Sequence, residues 1–254
     1  MQNSFSEVYL SELDEKRFGI KVAKAMNITA AKLPHIMKYC SDNDVSLLIA
    51  RCKTTEIISV QEMEKEGFIL MDTLVYYNRD IQNKLIPQDE EKKRIRILGQ
   101  GEEKRVREIA AGAFRDYFGH YHMDTRLSRQ ACDDIYTDWA YRTCVSKNVA
   151  DLVLVAELNN IIVGFMALKV NGRYECEVIL NAVLPEAQRK GIYRSMMIEG
   201  MRYFKSQGVK NIIVSTQIMN IAAQKVWTRL GFELIQSYYT FHKWYSRLYI
   251  HDMH

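Results

Sequence analysis

The chain has 254 residues, with 35 basic and 31 acidic side chains, a formal charge of +4 and 48% apolar residues. That is enough for one large domain or two small ones with packed cores, and too mild a positive balance for a nucleic-acid footprint. No stretch approaches the roughly 20 apolar residues that span a bilayer, and residues 1–19 hold no apolar run of the signal-peptide kind, so a cytoplasmic protein without nucleic-acid or membrane partners is expected. The five cysteines, Cys40, Cys52, Cys132, Cys144 and Cys176, are scattered with no C-x-x-C pair, and reduced, buried thiols are expected.

From the N-terminus, an extended opening leads to a helix over 30–41, a strand over 45–52, a helix over 55–66 and a strand over 68–77. Residues 79–94 are dense in charge, poor in large apolar side chains and contain Pro87. They read as a linker between an accessory α/β domain (1–78) and a larger domain (95–254). The larger domain opens with a strand over 95–98, helices over 102–117 and 129–145, and strands over 152–156 and 161–169. Asn171-Gly172 is a hairpin signal leading into a long strand over 174–183. A helix over 193–207 carries Tyr193, Met197, Met201 and Phe204 at helical spacing, with Gly208 as its left-handed cap. A strand over 212–216, a helix from Asn220 and two final strands to about Tyr245 complete a mixed α/β (α+β) sheet domain.

Sliding the chain on itself pairs Leu48–Tyr77 with Ile212–Phe241 and sets Gly67-Phe68 on Gly231-Phe232. Both copies read strand, helix, Gly-Phe, strand, so the N-terminal unit reads either as a degenerate copy of half of the larger domain or as generic β-α-β patterning. Glu56 stands where the second copy has Asn220, and no basic glycine loop precedes it. A structural or substrate-framing role is expected for that unit.

Two segments carry chemistry: Val183-Leu184-Pro185-Glu186-Ala187-Gln188-Arg189-Lys190-Gly191-Ile192-Tyr193, and the helix Asn220 to Arg229 followed by Leu230-Gly231-Phe232. The first runs from an apolar strand through a basic loop with one glycine into a helix, which aims backbone N–H groups at an anion such as a diphosphate. Gly191 lets the backbone approach closely. Together the segments resemble the signature segments of the Gcn5-related N-acetyltransferases, the GNAT superfamily, and the element order matches as well. The resemblance implies the GNAT fold with a smaller degenerate GNAT-like unit before it, and acetyl-coenzyme A as co-substrate without a metal. It implies coenzyme contacts from Asn181, Ala182 and Val183 on the strand, from Gln188, Arg189, Lys190, Gly191, Ile192 and Tyr193 in the loop, and from Asn220 and Lys225. The family form of the loop ends in Gly or Ala; this chain has Tyr193.

Acetyl transfer to an amine needs a neutral nitrogen, a polarised carbonyl and a proton for the departing thiolate. Glu177 lies at the spacing from Gln188 of the glutamate base in the histone-acetyltransferase branch; its alternative is a solvated strand residue. Trp227 falls on the position of the family's acidic tyrosine, and an indole N–H donates a hydrogen bond but no proton near neutral pH. Tyr193, Tyr238 and Tyr239 are candidate substitutes; the alternative is a thiolate that leaves unassisted and is protonated by solvent.

The segment Phe118 to Leu127 lies where GNAT proteins build the acceptor site. His120, Tyr121, His122, Arg126, Tyr136 and Trp139 suit a sugar nucleotide, with Arg126 on phosphate and the rings against base and sugar. His120 and His122 with Asp124 lack a third imidazole for a metal. The accessory unit, with Arg17-Phe18-Gly19 near its start, and the aromatic acceptor loop resemble the dTDP-fucosamine acetyltransferases, which implies a dTDP-4-amino-4,6-dideoxyhexose acceptor for surface polysaccharide synthesis. An acetyltransferase of protein or other small amines and a catalytically silent coenzyme-binding module remain open, as does the choice between monomer and homodimer.

Overall fold

The computed structural model describes residues 7–89, 93–115 and 117–245. The first six and last nine residues, residue 116 of the expected helix over 102–117 and residues 90–92 of the expected linker lie outside the described residues. The described residues fall into two compact units, the first drawn from Met1–Val75, Phe118–Ala131 and Gln236–His254, the second from Tyr76–Tyr117 and Cys132–Ile235. The first unit therefore includes the 118–131 stretch and the C-terminal stretch, which the expected boundaries assign to the larger domain.

The first unit contains β1 (Val8–Leu10), α1 (Glu12–Phe18), β2 (Val22–Ala25), α2 (Leu33–Asp42), β3 (Leu47–Lys53), α3 (Ile57–Lys65) and the start of β4 (Ile69–Asp80). The opening holds a seven-residue helix that was not anticipated. Acidic Glu12, Asp14 and Glu15 in its first turn and basic Lys16 and Arg17 in its last complement the helix dipole. β1 pairs antiparallel with β2, and β2 parallel with β3. Alternation along β3 sends Leu48, Ala50 and Cys52 to one face, where they pack with Ile36 and Cys40 of α2 and Met63 of α3.

The second unit holds β5 (Arg94–Ile97), α4 (Glu103–Ala113), most of α6 (Arg129–Val145), β6 (Leu152–Leu158), β7 (Ile161–Asn171), β8 (Glu175–Val183), α7 (Ile192–Ser206), β9 (Asn211–Gln217), α8 (Ile221–Arg229) and the start of β10 (Glu233–Trp244). A four-residue α5 (His120–Met123) belongs to the first unit. β5 through β8 pair antiparallel in order and β8 pairs parallel with β9, which makes the sheet mixed. Met196, Met197 and Met201 of α7 are buried core residues. Two final strands were expected, but β10 is one continuous strand, because no turn residue interrupts 233–244. Among the described residues no helix is long and apolar enough to cross a membrane.

The internal repeat is structural. β3, α3 and β4 begin and end at 47–53, 57–65 and 69–80; β9, α8 and β10 at 211–217, 221–229 and 233–244, the same offset at every boundary. Gly67 and Gly231 both hold φ 78, the left-handed turn after each helix. The last strands are exchanged. β3 pairs with β10, from Tyr238↔Lys53 to Trp244↔Leu47, whereas the 76–80 end of β4 lies beside β9, with Asn78 Nδ2 donating to Asn211 Oδ1 at 3.3 Å. The described part of the expected linker is anchored within the second unit. Arg79 donates to the carbonyls of Gly231 and Leu85, Ile81 is fully buried, and Asp89 accepts from Ser195 Oγ on α7 at 3.1 Å.

The other face of the first unit's sheet is polar and is covered by α1 and the 118–127 segment through two side-chain arrays. In one, Asp14, fully buried, accepts from Ser11 Oγ at 2.6 Å and Tyr121 OH at 3.1 Å and pairs with Lys24 at 2.5 Å. In the other, Asp124 Oδ2 lies 2.7 Å from His242 Nδ1 and accepts from Trp244 Nε1 at 2.8 Å, while His242 Nε2 meets His120 Nδ1 at 3.0 Å. Burial would raise both carboxyls, but Lys24 with its hydrogen bonds, and His242 with Trp244, hold them below the usual value. Burial, then the neighbouring His242, Arg51 and Lys24, push His120 well below the usual imidazole value.

A folded-state imidazole held neutral stabilises the fold above its unfolded pKa and loses that contribution as pH falls. Stability is therefore expected to decline below about pH 6.5, by up to about 1.4 kcal/mol per pH unit from this group, with a further decline as Asp14 and Asp124 protonate below about pH 4. His120→Asn, which keeps an N–H toward His242, removes the first decline when melting temperature is followed from pH 7.5 to 5. Equal slopes for parent and variant would contradict the assignment.

Candidate active site

β8 is bonded on one side to β7 from Asn171↔Glu175 to Gly164↔Val183, but the register shifts between Ala167 and Leu168, whose partners are Leu180 and Val178. Ile179 is the extra residue of a β-bulge, which adds twist to its strand. On the other side the parallel ladder with β9 runs from Glu175↔Asn211 to Val178↔Val214 and stops there. β8 continues to Val183 and β9 to Gln217, so the strands part at the bulge. Asn181, Ala182 and Val183 lie on the stretch whose β9-facing edge has no strand partner in that ladder.

A 3-10 turn at Pro185–Ala187 follows, and Gln188 Nε2 donates back to the Val183 carbonyl at 3.1 Å. Arg189 adopts φ 60, a left-handed conformation costly for a residue with a Cβ, and Gly191 adopts φ 72 as the residue before α7. No side chain caps α7, so the first-turn N–H groups that include Ile192 and Tyr193 point into this loop. Arg189 and Lys190 are exposed beside them. An uncapped helix start with two cations and an unpaired strand edge fits a diphosphate attached to an amide-bearing arm.

Asn220 caps α8: its Oδ1 accepts from Ala223 N at 3.2 Å while Nδ2 donates to Thr216 Oγ1 on β9 at 3.0 Å. Glu56, its counterpart in the repeat, makes no side-chain cap. Lys225 is exposed on α8. Trp227 is 2% exposed, and its Nε1–H donates to Tyr193 OH at 2.6 Å. The two positions at which the sequence departs from the family pattern thus bond to each other, and the indole's one donor is engaged. Burial raises the Tyr193 phenol above its usual value, outweighing the pull of Trp227.

Glu177 sits on β8 before the bulge, where both ladders are closed, opposite Lys169 and Ile213, and its Oε2 accepts from Asn171 Nδ2 at 3.1 Å. Tyr136, on α6, stacks on Phe114 with centroids 4.5 Å apart and meets Tyr117 edge-on at 5.0 Å. Tyr117 OH donates to Gln217 Oε1 at the end of β9. This aromatic cluster beside the parted strands was not read from the sequence, apart from Tyr136. Trp139 is half-buried on the same helix.

The remaining expected residues belong to the first unit. His120 and Tyr121 are buried in the arrays described above, and His122 Nδ1 accepts from Gly119 N at 3.3 Å, closing the first turn of α5. Arg126 stacks on Trp244 at 5.4 Å. Tyr238, 6% exposed, has Asn27 Oδ1 at 3.2 Å and Gln236 Oε1 at 3.3 Å as acceptors for its hydroxyl. Asp14 and His242, which organise this face, carry no local sequence signal. Among the described residues no three His, Cys, Asp or Glu side chains converge as a metal site.

The chain matches the acetyltransferase (GNAT) family over residues 105–232. It is 27% identical over 144 residues to the spore coat polysaccharide biosynthesis protein SpsD of Bacillus subtilis (strain 168), covering 57% of this chain and 48% of that protein. It is 34% identical over 90 residues to a mycothiol acetyltransferase of Amycolatopsis mediterranei (strain U-32), covering 32% and 30% respectively. The chain thus spans half or less of the length of these curated relatives. The crystal structure of a GCN5-related N-acetyltransferase from Sphaerobacter thermophilus superposes with a TM-score of 0.67 at 14% identity, over 93% of this chain and 76% of that one, a likeness of fold. With the match spanning half of its residues, the protein belongs to the acetyltransferase (GNAT) family.

Proposed function

We propose that the chain transfers an acetyl group from acetyl-coenzyme A to the amine of a small molecule, with a nucleotide-linked amino sugar of the dTDP-4-amino-4,6-dideoxyhexose type as acceptor and surface polysaccharide as the destination. The observation that carries the transferase reading is the parting of β8 and β9 beside the uncapped start of α7. The acceptor rests on Tyr136 and Trp139 of α6 and on the name of the Bacillus relative.

The coenzyme brings an acetyl group already activated as a thioester. In this reading the backbone N–H groups of Gly191, Ile192 and Tyr193, with Arg189 and Lys190, hold the diphosphate. The free edge at Asn181, Ala182 and Val183 pairs with the amides of the pantetheine arm, Gln188 fixes the loop to the strand end, and Asn220 and Lys225 flank the arm. Glu177 takes the proton from the acceptor's ammonium, directly or through water. Trp227 acts on the departing side through Tyr193, whose hydroxyl accepts from the indole and keeps its own hydrogen to donate. Tyr136 and Trp139 of α6 border the acceptor, while His120, Tyr121, His122 and Arg126 are committed to contacts within the first unit.

A coenzyme-binding module without catalysis is the second reading, favoured by the engagement of Trp227 with Tyr193. Incubation with acetyl-coenzyme A and a panel of amines, read as free thiol, separates the two. Release above background with an amino sugar nucleotide is expected, and no release with any amine would leave the silent module standing. Arg189→Ala with Gly191→Val is expected to weaken coenzyme A binding in calorimetry at least tenfold, about 1.4 kcal/mol; an unchanged affinity removes the loop from the site. Glu177→Gln is expected to lower turnover by about 10² or more, most at low pH, where the amine is protonated. A pH profile matching the parent's rules Glu177 out as base.

A further inference from the structure

We infer that the first unit carries a binding site for an oxyanion, a phosphate or carboxylate group, centred on Arg51. Arg51 lies half-buried on the polar face of β3, and its Nε is shielded from water without an acceptor. Among the described residues no carboxylate, carbonyl or hydroxyl hydrogen-bonds to any of its guanidinium nitrogens. A guanidinium offers five donors in a planar fork, and one lodged in a sheet face without an acceptor is unusual, because unmet charged donors destabilise a fold.

The neighbouring carboxylates do not meet it. Asp14 is bonded to Ser11, Arg17, Lys24 and Tyr121, and Asp124 to His242, Trp244 and the backbone N–H of Arg126. Directly opposite Arg51 in the ladder stands Thr240, whose fully buried hydroxyl also lacks a partner. His120, packed on His242, is held neutral first by burial and then by His242, Arg51, Lys24 and His122, with the carboxylates of Asp14 and Asp124 spent on other donors. A planar fork short of acceptors matches the paired oxygens of a phosphate or carboxylate. The inference concerns the first unit alone and stands whether or not the second unit transfers acetyl.

The test uses as parent the full chain carrying Arg189→Ala with Gly191→Val, so that the loop of the second unit offers no competing diphosphate site, and three probes, sodium phosphate, sodium pyrophosphate and sodium acetate, against sodium chloride at equal ionic strength. Calorimetry is run on the parent, on Arg51→Met and on Arg107→Met, an exposed arginine of α4 in the other unit. Saturable binding of at least one probe is expected, weakened at least tenfold in Arg51→Met and unchanged in Arg107→Met. Acetate alone would indicate a carboxylate ligand, and phosphate or pyrophosphate a phosphoryl one. Without ligand, Arg51→Met is expected to melt no lower than the parent, since it removes a charge with no partner. Should that variant fail to fold, the His120 titration in the parent decides by NMR: an anion at Arg51 offsets the local cations and raises the His120 pKa. No saturable binding by any probe, equal binding in Arg51→Met, or a His120 titration unmoved by saturating phosphate would overturn the proposal.

Discussion

The parting of β8 from β9 at the Ile179 bulge is the constraint on which the candidate site depends. Had the parallel ladder continued past Val178↔Val214, the backbone groups of 179–183 would be consumed by β9. Strand groups with no ladder partner must find water or a ligand. The same strand end runs into the loop that Gln188 ties back to Val183, and Gly191 turns that loop into a helix whose first N–H groups meet no capping side chain. Edge and helix start are therefore neighbours by chain connectivity, and Arg189 at φ 60 shows that this turn is held against a local backbone preference.

The pairing of Trp227 with Tyr193 ties α8 to the start of α7. A phenol at the second position of α7 needs space and a partner, and the indole of α8 supplies both. Removal of either ring would leave a buried polar group without its bond and a void between two helices that border the parted strands. The pair braces the start of α7.

Much of the second unit could be read from local pattern. The Asn171-Gly172 turn, the basic loop with Gly191 and the cap at Asn220 are short-range signals, and all lie where the spacing put them. The repeat was also legible, because strand, helix and Gly-Phe recur at a fixed offset. What escaped was non-local. The bulge and the strand parting are set by partner strands, and the exchange of β4 and β10 leaves no trace in either segment. His120, Asp124 and His242 meet across about 120 residues of chain, and Asp14 reaches Tyr121 across a similar span. The short α1 was written in its charges, acidic first and basic last, but its length made it easy to pass over.

Backbone hydrogen exchange, followed residue by residue with and without acetyl-coenzyme A, tests the central claim most directly. If the parted strands and the start of α7 receive the coenzyme, exchange slows at 181–183 and 191–194, with little change at the start of α3, the counterpart of α8. Unaltered exchange across both stretches at saturating coenzyme would contradict the assignment of the site.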